Sequence, residues 1–134
     1  MKHTYLSNFP PTLNDGMHIF VFGSNLAGKH GKGASVTARK HWGAMQGTGH
    51  GPTGQAYAIP TKDEKLVTLP LKKISLHVAS FVDYANACYG IRIFLVTPIG
   101  TGLAGYKHAD IAPMFQLAPT NCVFVPEWKE FLES

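Results

Sequence analysis

The run IRIFLVT at residues 91–97 is apolar apart from Arg92 and its closing Thr97. A strand with one face in water alternates polar and apolar side chains, whereas a run without alternation is buried on both faces. Burial on both faces belongs to strands of a parallel sheet covered by helices. Parallel neighbours need long crossover connections, usually helical, so this one run places a demand on the rest of the chain.

The chain meets that demand. HIFVF (18–22) is a short β-favouring run bounded by glycines. QAYAIPTK (55–62) is a strand running into a turn, with Pro60 fixing its end, and NCVFVP (121–126) is a last strand. KLVTL (65–69) is a short strand or an extended connection. GASVTARKHWGA (33–44) is a helix with Gly43 near its C-terminus. PLKKISLHVASFVDYANAC (70–88) starts with Pro70 at a tolerated first-turn position, and Leu71, Ile74, Val78, Phe81, Val82 and Ala85 share one helical face. KHADIAPMFQLA (107–118) is a helix interrupted or restarted near Pro113, and EWKEFLES closes as a short helix. GTGHGPTG (47–54) is a loop by composition. Strands alternating with helices predict an α/β domain with a largely parallel central sheet.

A length of 134 residues suits one domain spanning 1–134, long enough for a core without disulfide or metal staples. With 45% hydrophobic and 15% charged residues the chain is globular rather than disordered. No apolar run reaches the ~20 residues that span a bilayer, so no membrane partner is expected. MKHTYLSNFPPTL lacks the apolar segment of a signal peptide, which points to the cytosol. The net charge of +4 favours anionic partners such as nucleotides or nucleic acid, but does not by itself imply DNA binding. Lys72 and Lys73 read as solvated surface, while Lys29 and Lys32 are open between surface and site. Cys88 and Cys122 form no C-x-x-C pair and read as reduced, buried packing residues. The seven histidines show no metal-ligand spacing, so neither metal nor cofactor is expected. His18 is an ordinary strand residue.

Three loops follow predicted strands: 23–33, 60–63 and 98–106. Glycines let backbone approach a ligand and turn with positive φ, and successive amides make anion-binding nests. Gly23 to Lys29 reads G-x-x-x-x-G-K, the start of a Walker A loop, but His30 stands where Ser or Thr would hold Mg²⁺. No strand ending in a metal-binding Asp follows, which argues against an ATPase. Gly100, Gly102 and Gly105 read G-x-G-x-x-G, but a dinucleotide fingerprint belongs at the first strand of such a fold. The amide-nest physics remains, and a helix start after the first and third loops adds positive potential.

These motifs together resemble a macro domain, a family that binds ADP-ribose and its derivatives in a three-layer α/β/α sandwich. FGSNLAGKHGKGASVTARKHWGA is similar to the family's strand, Asn-bearing glycine loop and helix, TPIGTGLAGY to its second glycine loop, and AYAIPTK to a strand between them. GKGAS, PTK and PIGTGL are closer to the branch of terminal ADP-ribose protein glycohydrolase. FVFGSNLAG, AIPTKD and GLAGY resemble phage and bacterial macro-like proteins of unassigned role. The likeness covers roughly 18–118 in motif order. It implies ADP-ribose or a related nucleotide as ligand, held by Gly23, Ser24, Asn25, Gly28, Gly31 and Gly33 of the first loop. In the second loop it implies Gly100, Thr101, Gly102, Leu103, Ala104, Gly105 and Tyr106. Partners then extend to ADP-ribosylated protein or nucleic acid.

The glycohydrolase-type branch pairs a lysine, matched by Lys62, with an Asp whose position here is Ala104. The resemblance therefore implies a binder (reader, sponge or carrier) ahead of a hydrolase with Lys62 as its central group. An RNA- or DNA-binding module rests on net charge alone. Asp63 adjoins Lys62, but neighbours on an extended segment point to opposite faces. Several residues have two readings. Asn25 contacts the ribose or caps a turn. Lys62 is a nucleophile, a phosphate contact or a turn residue, and Tyr106 covers the ligand or packs on its loop. Asp15 reads as a turn residue before Gly16, and Trp42, Phe115 and Trp128 as core.

Overall fold

The apolar runs become the middle of a six-stranded sheet. The structure, a computed structural model, describes residues 3–10, 12 and 15–133; Ser134, at the end of the expected closing helix, lies outside them. The strands are β1 (Thr4–Tyr5), β2 (His18–Asn25), β3 (Gly51–Thr53), β4 (Ala56–Lys62), β5 (Ile93–Val96) and β6 (Cys122–Phe124), in the order β1-β6-β5-β2-β4-β3. All pairs are parallel except β3 with β4.

Helices α1 (Ala34–His41), α2 (Leu71–Ala87), α3 (His108–Ile111) and α4 (Lys129–Leu132) supply the crossovers and the close. Short 3₁₀ turns at Ala112–Phe115 and Pro126–Trp128 lead out of α3 and into α4. The segment 107–118 is therefore one helical turn followed by a 3₁₀ turn, because Pro113 cannot donate the bond that would continue an α-helix.

Side-chain alternation along the strands splits the core in two. Phe20, Phe22, Ala56, Ala58 and Leu95 face α1, where Trp42 stacks on Phe20 at 5.4 Å between ring centroids. Ile19, Val21, Tyr57, Ile59, Phe94 and Val96 face α2 and the C-terminal elements, meeting Ile74, Val78, Phe81, Ala85, Phe115 and Trp128. Ile74, Val78, Phe81 and Ala85 are the expected apolar stripe of α2, with Leu71 and Val82 half-buried at its margin. The result is the expected α/β/α arrangement around a largely parallel sheet.

Three expectations are corrected. GPT at 51–53, read as loop, is edge strand β3, and Thr4–Tyr5 forms a strand that the sequence reading did not contain. Pro60 does not end β4: the strand runs on to Lys62. β3 pairs β4 only as far as Ala58, so at Pro60 that edge requires no N–H. Cys88 is half-buried rather than buried, while burial pushes the Cys122 thiol up to about 12. Among the described residues, no helix is long and apolar enough to cross a membrane, and no group of three or more His, Cys, Asp or Glu is placed to hold a metal ion.

Candidate functional site

β2 and β4 end side by side at the carboxyl edge of the sheet. Their register shifts at Ser24/Asn25, where Ser24 lies opposite Pro60 and Asn25 opposite Lys62. The Leu26 N–H donates to the Lys62 carbonyl at 2.9 Å, closing this ledge. In an α/β sheet this is where ligands bind, and a cavity of about 710 Å³ opens here, within the range of small-molecule sites.

All three expected loops reach it. Gly23, Ser24, Asn25, Gly31 and Gly33 line it from the first loop, and Lys62 from the end of β4. Gly100, Thr101, Gly102, Leu103 and Ala104 line it from the loop after β5. Gly28, Gly105 and Tyr106 are not among its lining residues. Gly28 packs on the Gly47 backbone, where an added Cβ would come within 2.3 Å. The Tyr106 ring packs on the α2-side core and its hydroxyl donates to the Leu69 carbonyl at 2.7 Å, the packing alternative of its two readings.

The loop after β5 is held by its own backbone. Tyr106 N–H donates to the Gly100 carbonyl at 2.9 Å and Gly105 N–H to the Gly102 carbonyl at 3.0 Å. Gly100 has φ of 76°, and its Cβ position lies 3.0 Å from Ile111 Cδ1, so this turn suits glycine on both counts. In the first loop the Asn25 side chain closes on Lys29: Nδ2 donates to the Lys29 carbonyl at 2.8 Å and Oδ1 accepts its N–H at 3.0 Å. Asn25 thus staples the loop while lining the cavity.

Lys29, Lys32 and Lys62 line the cavity, and no Asp or Glu stands among the described lining residues. The nearby Asp63 carboxylate accepts the N–H groups of Lys65 at 2.8 Å and Val67 at 3.0 Å, holding the turn that Lys62 enters. Helix α1 begins at this wall through Ala34 and Ser35, with neither a side-chain cap nor an acid in its first turn, so its N-terminus adds positive potential. The cavity is thus suited to an anionic ligand.

Several lining residues were not anticipated. Ser35, Thr61, Thr97, Pro98 and Ile99 line it from element ends; Thr61, Pro98 and Ile99 fall within the loops 60–63 and 98–106, but no signal in the sequence names them individually. Leu66 enters with a left-handed φ of 63°, a conformation that a leucine adopts only when its surroundings impose it. Outside the cavity, Asp15 is the expected turn residue: it accepts the N–H groups of Met17 and His18, and its other oxygen lies 2.7 Å from His18 Nδ1. These bonds pull its carboxyl down to about 2.

His30 is fully buried, edge-on to Phe22, with no ordinary hydrogen bond at either ring nitrogen among the described residues. Burial holds its pKa below the usual imidazole value; a Thr48 backbone group offsets part of this, and Arg39 adds to it. His77 is lowered in the same way by burial, by His50 and by Lys73.

No protein-family model matches the chain. No curated protein matches it either. Solved structures do. The chain is similar to the macrodomain of Mycobacterium tuberculosis DarG, at 21% identity and a TM-score of 0.65, over 93% of this chain and 97% of that one. It is similar to Thermosipho africanus DarTG in complex with ADP-ribose, at 16% identity and a TM-score of 0.60, over 90% of this chain and 43% of that one. The alphavirus P23pro-zbd structure matches at 17% identity and a TM-score of 0.62, over 99% of this chain and 23% of that one. At these identities the likeness speaks for architecture, and the chain has the macrodomain fold.

Proposed function

We propose that the cavity binds ADP-ribose or a related nucleotide derivative, and that the protein acts as a reader, sponge or carrier of it. One observation carries the reading: two glycine-bearing loops line one cavity together with three lysines and, among the described residues, no carboxylate. A diphosphate placed there meets backbone amides from both loops and the start of α1. The ADP-ribose held by the Thermosipho africanus neighbour supports the same ligand class here.

Hydrolysis of an ADP-ribose adduct is the second reading. It is favoured by Lys62 lining the cavity and weakened by Ala104, which offers no acid or base beside it. Asp63 does not make up the loss, since its carboxylate is engaged in the turn.

Calorimetry with ADP-ribose, its phosphorylated forms, AMP, NAD and cyclic ADP-ribose isomers tests the first reading. A saturable heat with ADP-ribose, stronger than with AMP, is expected. Absence of binding to every adenine nucleotide in the series refutes it.

A further inference from the structure

We propose that Ser24 reads the bound ligand directly, its hydroxyl donating a hydrogen bond to an anionic oxygen of the molecule in the cavity. The proposal rests on the nucleotide-type reading of the cavity, but a separate observation carries it. Four other hydroxyl residues line the same cavity, and each is committed within the protein. Ser35 Oγ donates to the Lys32 carbonyl at 2.5 Å, and Thr61 Oγ1 to the Ser24 carbonyl at 3.3 Å. Thr97 Oγ1 donates to the Val21 carbonyl at 2.7 Å, and Thr101 Oγ1 to the Pro98 carbonyl at 2.6 Å. Ser24 Oγ has no hydrogen-bond partner among the described residues, although the residue is only 5% exposed.

A buried hydroxyl without a partner is uncommon and calls for a reason. The strand geometry supplies half of it. Ser24 falls on the same face of β2 as Phe20 and Phe22, beneath α1. Its register partner on β4 is Pro60, whose apolar ring on that face offers the hydroxyl neither donor nor acceptor. The sheet therefore leaves this hydroxyl unanswered at the level where the cavity begins.

Electrostatics supplies the other half. Lys29, Lys32, Lys62 and the uncapped start of α1 surround the cavity, so ligand oxygens drawn to this wall carry negative charge. Toward such an oxygen a serine donates its proton. The ligand chemistry is phosphate or pyrophosphate oxygen, either free or within a nucleotide.

The test compares wild type with Ser24→Ala, using pyrophosphate, ADP and ADP-ribose as separate probes, with thermal melting alongside. Ser24→Ala is expected to melt at or above the wild-type temperature, because it removes an unsatisfied buried group. It is also expected to bind pyrophosphate, ADP and ADP-ribose about tenfold or more weakly, the usual effect of losing a hydrogen bond to a charged group. A structural role would lower melting temperature and affinity together, and that outcome overturns the proposal. Equal affinities of the two proteins for all three probes overturn it too, as does a wild type that does not bind pyrophosphate. A loss confined to ADP-ribose, sparing pyrophosphate and ADP, overturns the anionic-oxygen assignment. If wild type binds pyrophosphate, Ser24→Ala weakens it, and ADP-ribose does not bind, Ser24 keeps its role and the ADP-ribose reading falls.

Discussion

Gly28 separates a structural glycine from a ligand-facing one. It has a left-handed φ of 71°, and a Cβ built on it would lie 2.3 Å from the Gly47 carbonyl carbon and 2.6 Å from both Gly47 Cα and its oxygen. The neighbour is backbone, tied in place by the Gly47 N–H bond to the Gly28 carbonyl at 2.8 Å, so it cannot swing aside as a side chain would. Gly28→Ala therefore meets two costs: about 1–2 kcal/mol for an L-residue in the left-handed region, and about 1–3 kcal/mol for overpacking. Together they come to roughly 2–5 kcal/mol. At roughly 3 °C per kcal/mol for a chain of this size, the melting temperature should fall by about 6–15 °C. Gly31→Ala is the control, because its Cβ would meet nothing within 4 Å and its φ is not left-handed. Thermal melts by circular dichroism should show Gly31→Ala close to wild type and Gly28→Ala far below it. Gly28→Ala should also lose ligand affinity, since Asn25 and Lys29 sit on the displaced loop. A Gly28→Ala protein melting within about 2 °C of wild type would refute the packing account.

Other outcomes follow from the cavity wall and the buried imidazoles. Gly102 lines the cavity with open space around its Cβ position, so Gly102→Glu should fold normally and abolish nucleotide binding by charge repulsion; unchanged affinity in calorimetry would sink the loop assignment. Lys62→Ala should weaken nucleotide binding by about 1–3 kcal/mol, with Lys62→Arg recovering part of the loss; an Arg variant that binds ADP-ribose but has lost a turnover seen in wild type would mark Lys62 as a nucleophile instead. Wild type should hydrolyse Glu- or Asp-linked ADP-ribose slowly or not at all, and Ala104→Asp should raise the rate; fast wild-type turnover would refute the binder-first ordering. His30 and His77 both titrate below the usual imidazole value, so the unfolded chain takes up their protons first as pH falls. Their stabilising effect is full above about pH 6.5 and is lost as pH drops from there toward the lowered values. Melting temperature should fall between pH 7 and 5, and His30→Met should flatten that fall; an identical slope in the variant would remove His30 from the account.

Strands β2, β4, β5 and β6 and helix α2 were legible because their burial is written in local periodicity. β5 is buried on both faces and reads as a continuous apolar run, while α2 repeats Ile74, Val78, Phe81 and Ala85 at helical spacing. β3 was illegible because Gly51-Pro52-Thr53 has turn composition, and its pairing is imposed by β4 across the Gly54-Gln55 turn. At the site, glycine spacing singled out both loops that line the cavity, but spacing does not tell a glycine that lines a cavity from one packed on another glycine, as Gly28 is on Gly47. The uncommitted hydroxyl of Ser24 was equally hidden. Its contrast with Ser35, Thr61, Thr97 and Thr101 depends on carbonyls brought to them by the fold.

The site exists because two strands outrun their neighbours. β5 stops at Val96, and just beyond it the Thr97 N–H and hydroxyl both donate to the Val21 carbonyl at 3.1 and 2.7 Å. On the other side β3 pairs no further than Ala58. Ser24–Asn25 and Pro60–Lys62 then project as a two-stranded ledge, whose β4 edge meets the segment after it at an antiparallel bridge between Lys62 and Thr68. A proline is tolerated there, opposite Ser24, and the register shift just beyond sets Lys62 opposite Asn25 at the cavity. The ledge is held from below by backbone bonds: Leu26 to Lys62, and Leu69 N–H to the Thr61 carbonyl at 2.8 Å. None of these uses the side chains of Ser24, Lys62 or Lys32. Those side chains can change with little cost to folding, so binding and stability are separable at this edge of the sheet, whereas at Gly28 they are not.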